Sequence, residues 1–192
     1  MRHFLRHQLW PGIMILTVLT LITGVVYPGA VTLIGQVAFP RQANGSFIVV
    51  DGRAIGSSLI GQAFNEPQYF WGRPSAAGSG YDGMASGGSN LGPTSKALIE
   101  RVTKTVATLR KANGGGPVPV DLVTASASGL DPDISPAGAA YQAARVAAAR
   151  HLPLATVKAA IARFTRQPLL GFLGEPRVNV LELNLYLDGL LR

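Results

Sequence analysis

Residues 13–26 read IMILTVLTLITGVV, an apolar run relieved only by Thr17, Thr20, Thr23 and Gly24. Between Leu9 and Pro40 no side chain carries a charge, and a bilayer core takes about 20 apolar residues in one helix. The run therefore predicts a membrane helix over residues 11–34, with Pro11 in its first turn, where a missing N–H costs nothing. Tyr27-Pro28-Gly29 falls near the far end, where an interfacial aromatic and a helix break are expected. A kinked helix continuing into AVTLIGQVAF is the alternative. Thr17, Thr20 and Gly24 follow the spacing i, i+3, i+7, a small and weakly polar stripe suited to packing against another membrane helix.

The competing reading of the same run is a cleaved signal peptide, since MRHFLR is a basic leader. Two features favour a retained anchor. The small residues come as Pro28-Gly29-Ala30 rather than as an A-x-A-like site, and the apolar character runs on to Phe39. Arg2 and Arg6, helped when protonated by His3 and His7, precede the span, and the first base after it is Arg41. The positive-inside rule then puts residues 1–10 in the cytoplasm as a tail and residues 35–192 outside as one extracytoplasmic mixed domain. His3 and His7 have no third ligand in view, so they read as an interfacial tail rather than a metal pair. The chain has no cysteine, which is neutral for either compartment in a core of this size.

Beyond the span, SFIVVDGRAIG predicts a hairpin with Phe47 to Val50 as one strand and Asp51-Gly52 as its turn. Residues 58–64 and 69–71 suggest further short strands. Residues 76–92 form a long glycine-rich loop, and Pro93-Thr94-Ser95 starts a helix in which Leu98, Val102, Val106 and Leu109 share one face before Asn113-Gly114 ends it. Its other face, with Lys96, Arg101, Lys104, Arg110 and Lys111, reads as solvated. After the linker 114–119, residues 120–136 (VDLVTASASGLDPDISP) bring a strand-like start, a run of small hydroxyl residues and a turn. Ser135 ahead of Pro136 is a good helix start, and the alanine-rich stretch to about Arg150 propagates well. Another helix follows from Leu154 to about Arg166. Asn179 and Glu182 approach a capping box for a last helix, although leucines at 181, 183, 185 and 187 equally suit a strand. The expected fold class is α+β behind one membrane helix, with no internal repeat.

The chemistry is sparse. Gly83 and Gly88 have the GxxxxG spacing of a phosphate-binding loop, but Ser89 and Asn90 follow where Lys and Ser or Thr are needed. Residues 85–89 (ASGGS) also look a little like the LSGGQ signature of ABC-type ATPases. Outside the tail the sole histidine is His151, and neither a G-x-S-x-G elbow nor an S-x-x-K pair occurs, so Ser126 and Ser128 lack a recognisable activator. Asp131 and Asp133 are the best carboxylate pair, and Asp-Pro-Asp before a helix reads as a turn. With Arg2 and Arg6 set aside, the 17 bases against 10 acids leave a net charge of about +5. That balance suits nucleic acid in sign, but no known module is present and none is expected as a partner. The residues alone point to a bitopic membrane protein with a non-enzymatic outer domain.

Eight stretches in order carry a more specific resemblance: LITGVVYP (21–28), QANGS (42–46), GSSLIGQAF (56–64), YFWGRPSA (69–76), ASGGSNLGP (85–93), DLVTASASGLDPDISPAGA (121–139), RVAAAR (145–150) and VNVLELNLYLD (178–188). Together they resemble the C subunit of the bacterial Kdp complex, the ATP-driven high-affinity potassium transporter. The resemblance implies a non-catalytic subunit of the cell inner membrane, in contact with lipid. Its partners would be a channel-like A subunit that handles potassium and a P-type ATPase B subunit. It implies a role in assembly and a catalytic-chaperone role that raises the ATP affinity of the B subunit. By that assignment nucleotide contact falls on Ser86, Gly87, Gly88 and Ser89 and on Ser126, Ser128 and Gly129. An extracytoplasmic address opposes direct contact with ATP, so no stably bound cofactor is expected and ATP acts through the complex, as a coupling between distant sites. Direct ATP binding by this chain, or an anchored extracytoplasmic enzyme, are the alternative readings.

Overall fold

The computed structural model describes residues 2–191, with side chains from residue 7 onward. The side chains of Arg2, His3 and Arg6, on which the expected orientation rests, lie outside the described residues. The chain divides into two compact units, Met1–Phe47 and Ile48–Arg192.

The first unit is helical. Helix α1 (Arg2–Leu21) passes through a π-helical turn at Ile22–Val26 into α2 (Tyr27–Ala38), and a short α3 (Pro40–Ala43) follows. Among the described residues, the stretch His7–Ala38, of 32 residues, is long and apolar enough to cross a membrane. At 1.5 Å per residue it is about 48 Å long, so it outruns a hydrocarbon core of about 30 Å. Two local expectations change. Pro11 sits inside α1 rather than in its first turn, because the polar residues before it continue the helix. Tyr27-Pro28-Gly29 does not break the helix either. Pro28 has no N–H to give and its ring crowds the preceding turn. The turn ahead of it widens instead, with the Tyr27 N–H donating to Ile22 O. Thr17 and Thr23 satisfy their hydroxyls on the carbonyls of Ile13 (2.8 Å) and Leu19 (2.7 Å), so neither exposes a free donor.

The second unit mixes helix and sheet. Strands β1 (Phe47–Val50) and β2 (Arg53–Ser57) pair as the expected hairpin. Its turn residues Asp51 and Gly52 both have positive φ, as a tight two-residue turn requires. Helix α4 (Lys96–Asn113) ends on Gly114 at φ +82°. The strand-like start at residue 120 is instead a single 3₁₀ turn, Val120–Leu122. Then come β3 (Asp133–Ile134), α5 (Pro136–Ala149), α6 (Leu154–Phe164), β4 (Thr165–Arg166), β5 (Arg177–Asn179) and α7 (Val180–Leu187). Both capping expectations hold: the Gly138 N–H donates to Ser135 Oγ, and the Glu182 N–H to Asn179 Oδ1. Strand β5 lies between β3 and β4, antiparallel to both, with Val178 opposite Ile134 and Thr165.

The main core gathers Phe70, Val146, Val157, Val178 and Leu183, none of which retains solvent exposure. A second cluster joins Ile48 to Leu181 and Leu185. The helical phase of α7 thus settles its ambiguous leucines, sending 181 to one cluster and 183 to the other.

Residues 58–64 and 69–71 form no strand. The second of these is extended, but its backbone is held by side chains. Asn184 of α7 accepts from Phe70 N–H (2.8 Å) and donates to Phe70 O (3.0 Å). Gln142 of α5 does the same for Trp71, at 2.8 Å and 3.1 Å. Each amide replaces the rung that a neighbouring strand would supply. Arg145 adds bonds to the carbonyls of Pro67 and Tyr69 and lies 4.0 Å over the Trp71 ring. Burial lowers its pKa to about 10, so it stays cationic although carbonyls and amides rather than a carboxylate surround it. Arg150 donates to Gln68 O and Leu187 O and pairs with Asp188 at 2.8 Å.

Candidate functional site

The two segments singled out from the sequence meet. Gly87 N–H donates to Ser128 O (2.9 Å), and Ser86 Oγ donates to the same carbonyl (3.0 Å). Ser126 and Ser128 hydroxyls lie 3.4 Å apart, and Ser128 Oγ accepts from Leu130 N–H. Gly129, at φ +68°, is where the backbones come closest: a Cβ there would stand 2.6 Å from both Ala77 N and Gly87 O. Gly88 is nearly as confined, against Ala127 O. Ser89 follows in the same loop, half-buried. All seven residues assigned to nucleotide contact therefore belong to one junction. It does not open α4 directly, because Ser89–Ser95 intervene, so the helix-terminus field expected for a phosphate loop is not delivered to the glycines.

A third segment braces the junction. Ser75 Oγ donates to Gly129 O (2.6 Å) and accepts from Tyr81 N–H (2.7 Å). Tyr81 Oη donates in turn to Arg73 O. Arg73 pairs with Asp131 at 2.8 Å, both partly buried, and its remaining donors reach the carbonyls of Thr124 and Ala125. Burial, reinforced by the Asp131 charge and opposed by Arg73, pushes the Tyr81 pKa up to about 12. Asp133 is also raised, first by burial and then by Asp131, while Arg177 at 3.0 Å works against the shift.

The resulting cleft, about 560 Å³, is lined by Arg73, Ser86, Ser126, Ser128 and Asp131 with Leu59 and Ile60 beside them. A second hollow of about 320 Å³ includes Phe64, Trp71, Lys104 and Thr108, and Arg73 borders both. Chemically the junction offers hydroxyls and carbonyls around a compensated ion pair. Among the described residues no histidine stands beside either serine: His151 lies exposed in the turn after α5. Among the described residues no three His, Cys, Asp or Glu side chains gather as a metal site.

The family model for the c chain of K+-transporting ATPase, KdpC, matches residues 9–189. The chain belongs to the KdpC family. Relatives described as the potassium-transporting ATPase KdpC subunit span nearly its whole length. That of Methylococcus capsulatus is 60% identical over 183 residues, covering 94% of this chain and 96% of its own. Those of Gemmatimonas aurantiaca (59%, covering 95% and 93%) and Polaromonas naphthalenivorans (57%, covering 97% and 96%) are similar in extent.

The sequence marks out residues 85–89 and 126–129 but neither their meeting nor what braces it: Arg73 and Ser75 fall within YFWGRPSA and Tyr81 within the glycine-rich loop, with no role assigned to any of them. Gln142, Arg145 and Asn184 were also missed. Asn184 carried a signal, as a lone amide in VLELNLYL, and Gln142 with Arg145 is the polar break in an alanine-rich face.

Proposed function

We propose that this chain is a non-catalytic accessory subunit of an ATP-driven potassium uptake complex. It has one span, a cytoplasmic N-terminus and an extracytoplasmic second unit, in the cell inner membrane. The family match over residues 9–189 carries the reading. The chain stabilises the assembly of a channel-like subunit, which handles potassium, with a P-type ATPase subunit. Thr17, Thr20 and Gly24 pack the anchor against partner helices, and the second unit caps the channel entrance. Any rise in the ATP affinity of the ATPase subunit is then a coupling free energy passed through subunit contacts, and by linkage nucleotide tightens the same contacts.

The absence of native cysteine makes the orientation directly testable. Ser128 is exposed, so Ser128→Cys is introduced into the assembled complex and treated with a membrane-impermeant maleimide, with a denatured control for thiol reactivity. Equal labelling of intact and lysed right-side-out vesicles is expected. Labelling that appears only after lysis overturns the orientation.

One observation favours a second reading, direct ATP binding by the chain: Ser86, Ser126 and Ser128, three of the seven assigned residues, line one cleft. Saturable binding of a labelled ATP analogue to the full chain, lost in Ser128→Asp, supports that reading. The ion pairing of Arg73 with Asp131 works against it, since a polyphosphate would have to displace Asp131 to gain the guanidinium.

A further inference from the structure

Between β4 and β5 the chain leaves the sheet as QPLLGFLGEP, residues 167–176. Four large apolar side chains crowd its tip and face solvent: Leu169 is 69% exposed, Leu170 76%, Phe172 72% and Leu173 49%. Scattered apolar residues on a surface are ordinary, but a contiguous cluster marks a binding surface.

The loop is built rather than loose. Leu169 and Leu173 exchange both backbone bonds (3.1 and 2.9 Å), and the N–H groups of Gly171 and Phe172 are taken by the carbonyls of Pro168 and Leu169. The tip can thus enter a dry environment without leaving these four amides unpaired. Leu170 adopts φ +54°, a conformation that a bulky side chain avoids. The turn therefore accepts strain while leaving Leu170 and Phe172 exposed, and such strained positions cluster at active sites, ligand clamps and switch regions.

Charge narrows the occupant. The two bases at the stem are already engaged, Arg166 by Glu182 (2.6 Å) and Arg177 by Asp133 (3.0 Å). The segment 167–176 itself carries one charge, the acidic Glu175. A surface that binds anionic lipid needs free Lys or Arg beside its apolar residues, and this loop presents the opposite sign.

We propose that the loop 168–174 is a preorganised docking knob. It enters an apolar, water-excluding cleft on a protein subunit of the transport complex, with a Lys or Arg of that subunit on the rim opposite Glu175. This rests on the accessory-subunit reading above. Because the knob is preformed, little ordering entropy opposes the contact, and Leu170 and Phe172 act as its anchors.

The test uses the whole complex expressed in cells. A photo-crosslinking phenylalanine analogue replaces Phe172, which preserves an aromatic at the tip, and irradiation is expected to yield an adduct with another protein subunit. Separately, Leu170→Asp with Phe172→Ser is expected to lower partner recovery about tenfold or more, with the far-UV spectrum of the purified chain unchanged. Glu175→Lys is expected to weaken recovery more at low salt than at high salt. Adducts confined to lipid, or to a second copy of this chain, overturn the proposal. So does unchanged recovery of the double variant. If the unaltered chain fails to co-purify with any subunit, the accessory-subunit reading falls first; if it co-purifies while position 172 gives no protein adduct, the knob alone falls.

Discussion

Asn184 is the one buried polar residue of α7, and its replacement tests how the extended segment is held. In Asn184→Ala both Phe70 backbone groups lose their partner inside the core, and each unmet group costs about 1–3 kcal/mol. The expected loss is about 3 kcal/mol, a fall in Tm of roughly 6–12 °C by the scaling for domains of this size. Thermal unfolding of the full chain in detergent, followed by far-UV dichroism, measures it. Asn184→Asp should not rescue, because a carboxylate accepts from Phe70 N–H but donates nothing to Phe70 O. A Tm equal to that of the parent chain in Asn184→Ala would show that these bonds hold nothing. Tyr81 gives a second measurement at this scale. Its folded pKa is raised to about 12 against an ordinary value of 10. The stabilisation it reports is therefore complete below pH 10 and is lost as pH rises through 12. Ultraviolet absorbance titration of the parent chain, minus that of Tyr81→Phe, should show one of the five tyrosines ionising near 12; a missing component centred near 10 sinks the burial argument.

At the level of elements, the apolar helix and its π turn matter most. Thr17 and Thr20 lie in α1, whereas Gly24 lies within the wider turn at Ile22–Val26, next to Pro28. A helix surface without Cβ at that point permits close approach of a neighbour, and among the described residues nothing beyond the helix's own adjoining backbone lies within 4 Å of a Cβ placed there. Gly24→Leu is accordingly expected to leave the isolated chain folded while reducing co-purification of the partner subunits severalfold; equal recovery in mild detergent would remove this contact from the proposed assembly. Elements with local signals were legible in the sequence. Asp51-Gly52 located the hairpin, Ser135-Pro136 and Asn179 located two helix starts, and Gly114 located one helix end. The sequence misled where the deciding partner is remote. Residues 69–71 have strand composition and extended backbone, but their rungs come from Gln142 and Asn184, which no local pattern connects to them. Of the candidate site, the serines and glycines were visible as small-residue runs. The brace from Arg73, Ser75 and Tyr81 was not, since long-range pairing of loops leaves no period to read.

Considered whole, the second unit assembles around contacts that join distant parts of the chain. Arg73 and Asp131 are 58 positions apart, Ser58 and Asn179 121, and Phe70 and Asn184 114. The apolar helix and the first hairpin were predictable because their causes are local, while the arrangement of the second unit depends on these remote bonds and became visible only in three dimensions. The amide that receives Phe70 has a consequence for how the protein is made. Synthesis proceeds from the N-terminus, so Phe70 and Trp71 leave the ribosome long before α7 exists. Until Asn184 arrives, both backbone groups of Phe70 lack the amide that receives them and the core around it lacks Leu183, which leaves the segment exposed to misassociation. Helix α7 is thus needed to complete this core, and a nascent chain stalled short of α7 should be a client for chaperones rather than a smaller version of the finished subunit.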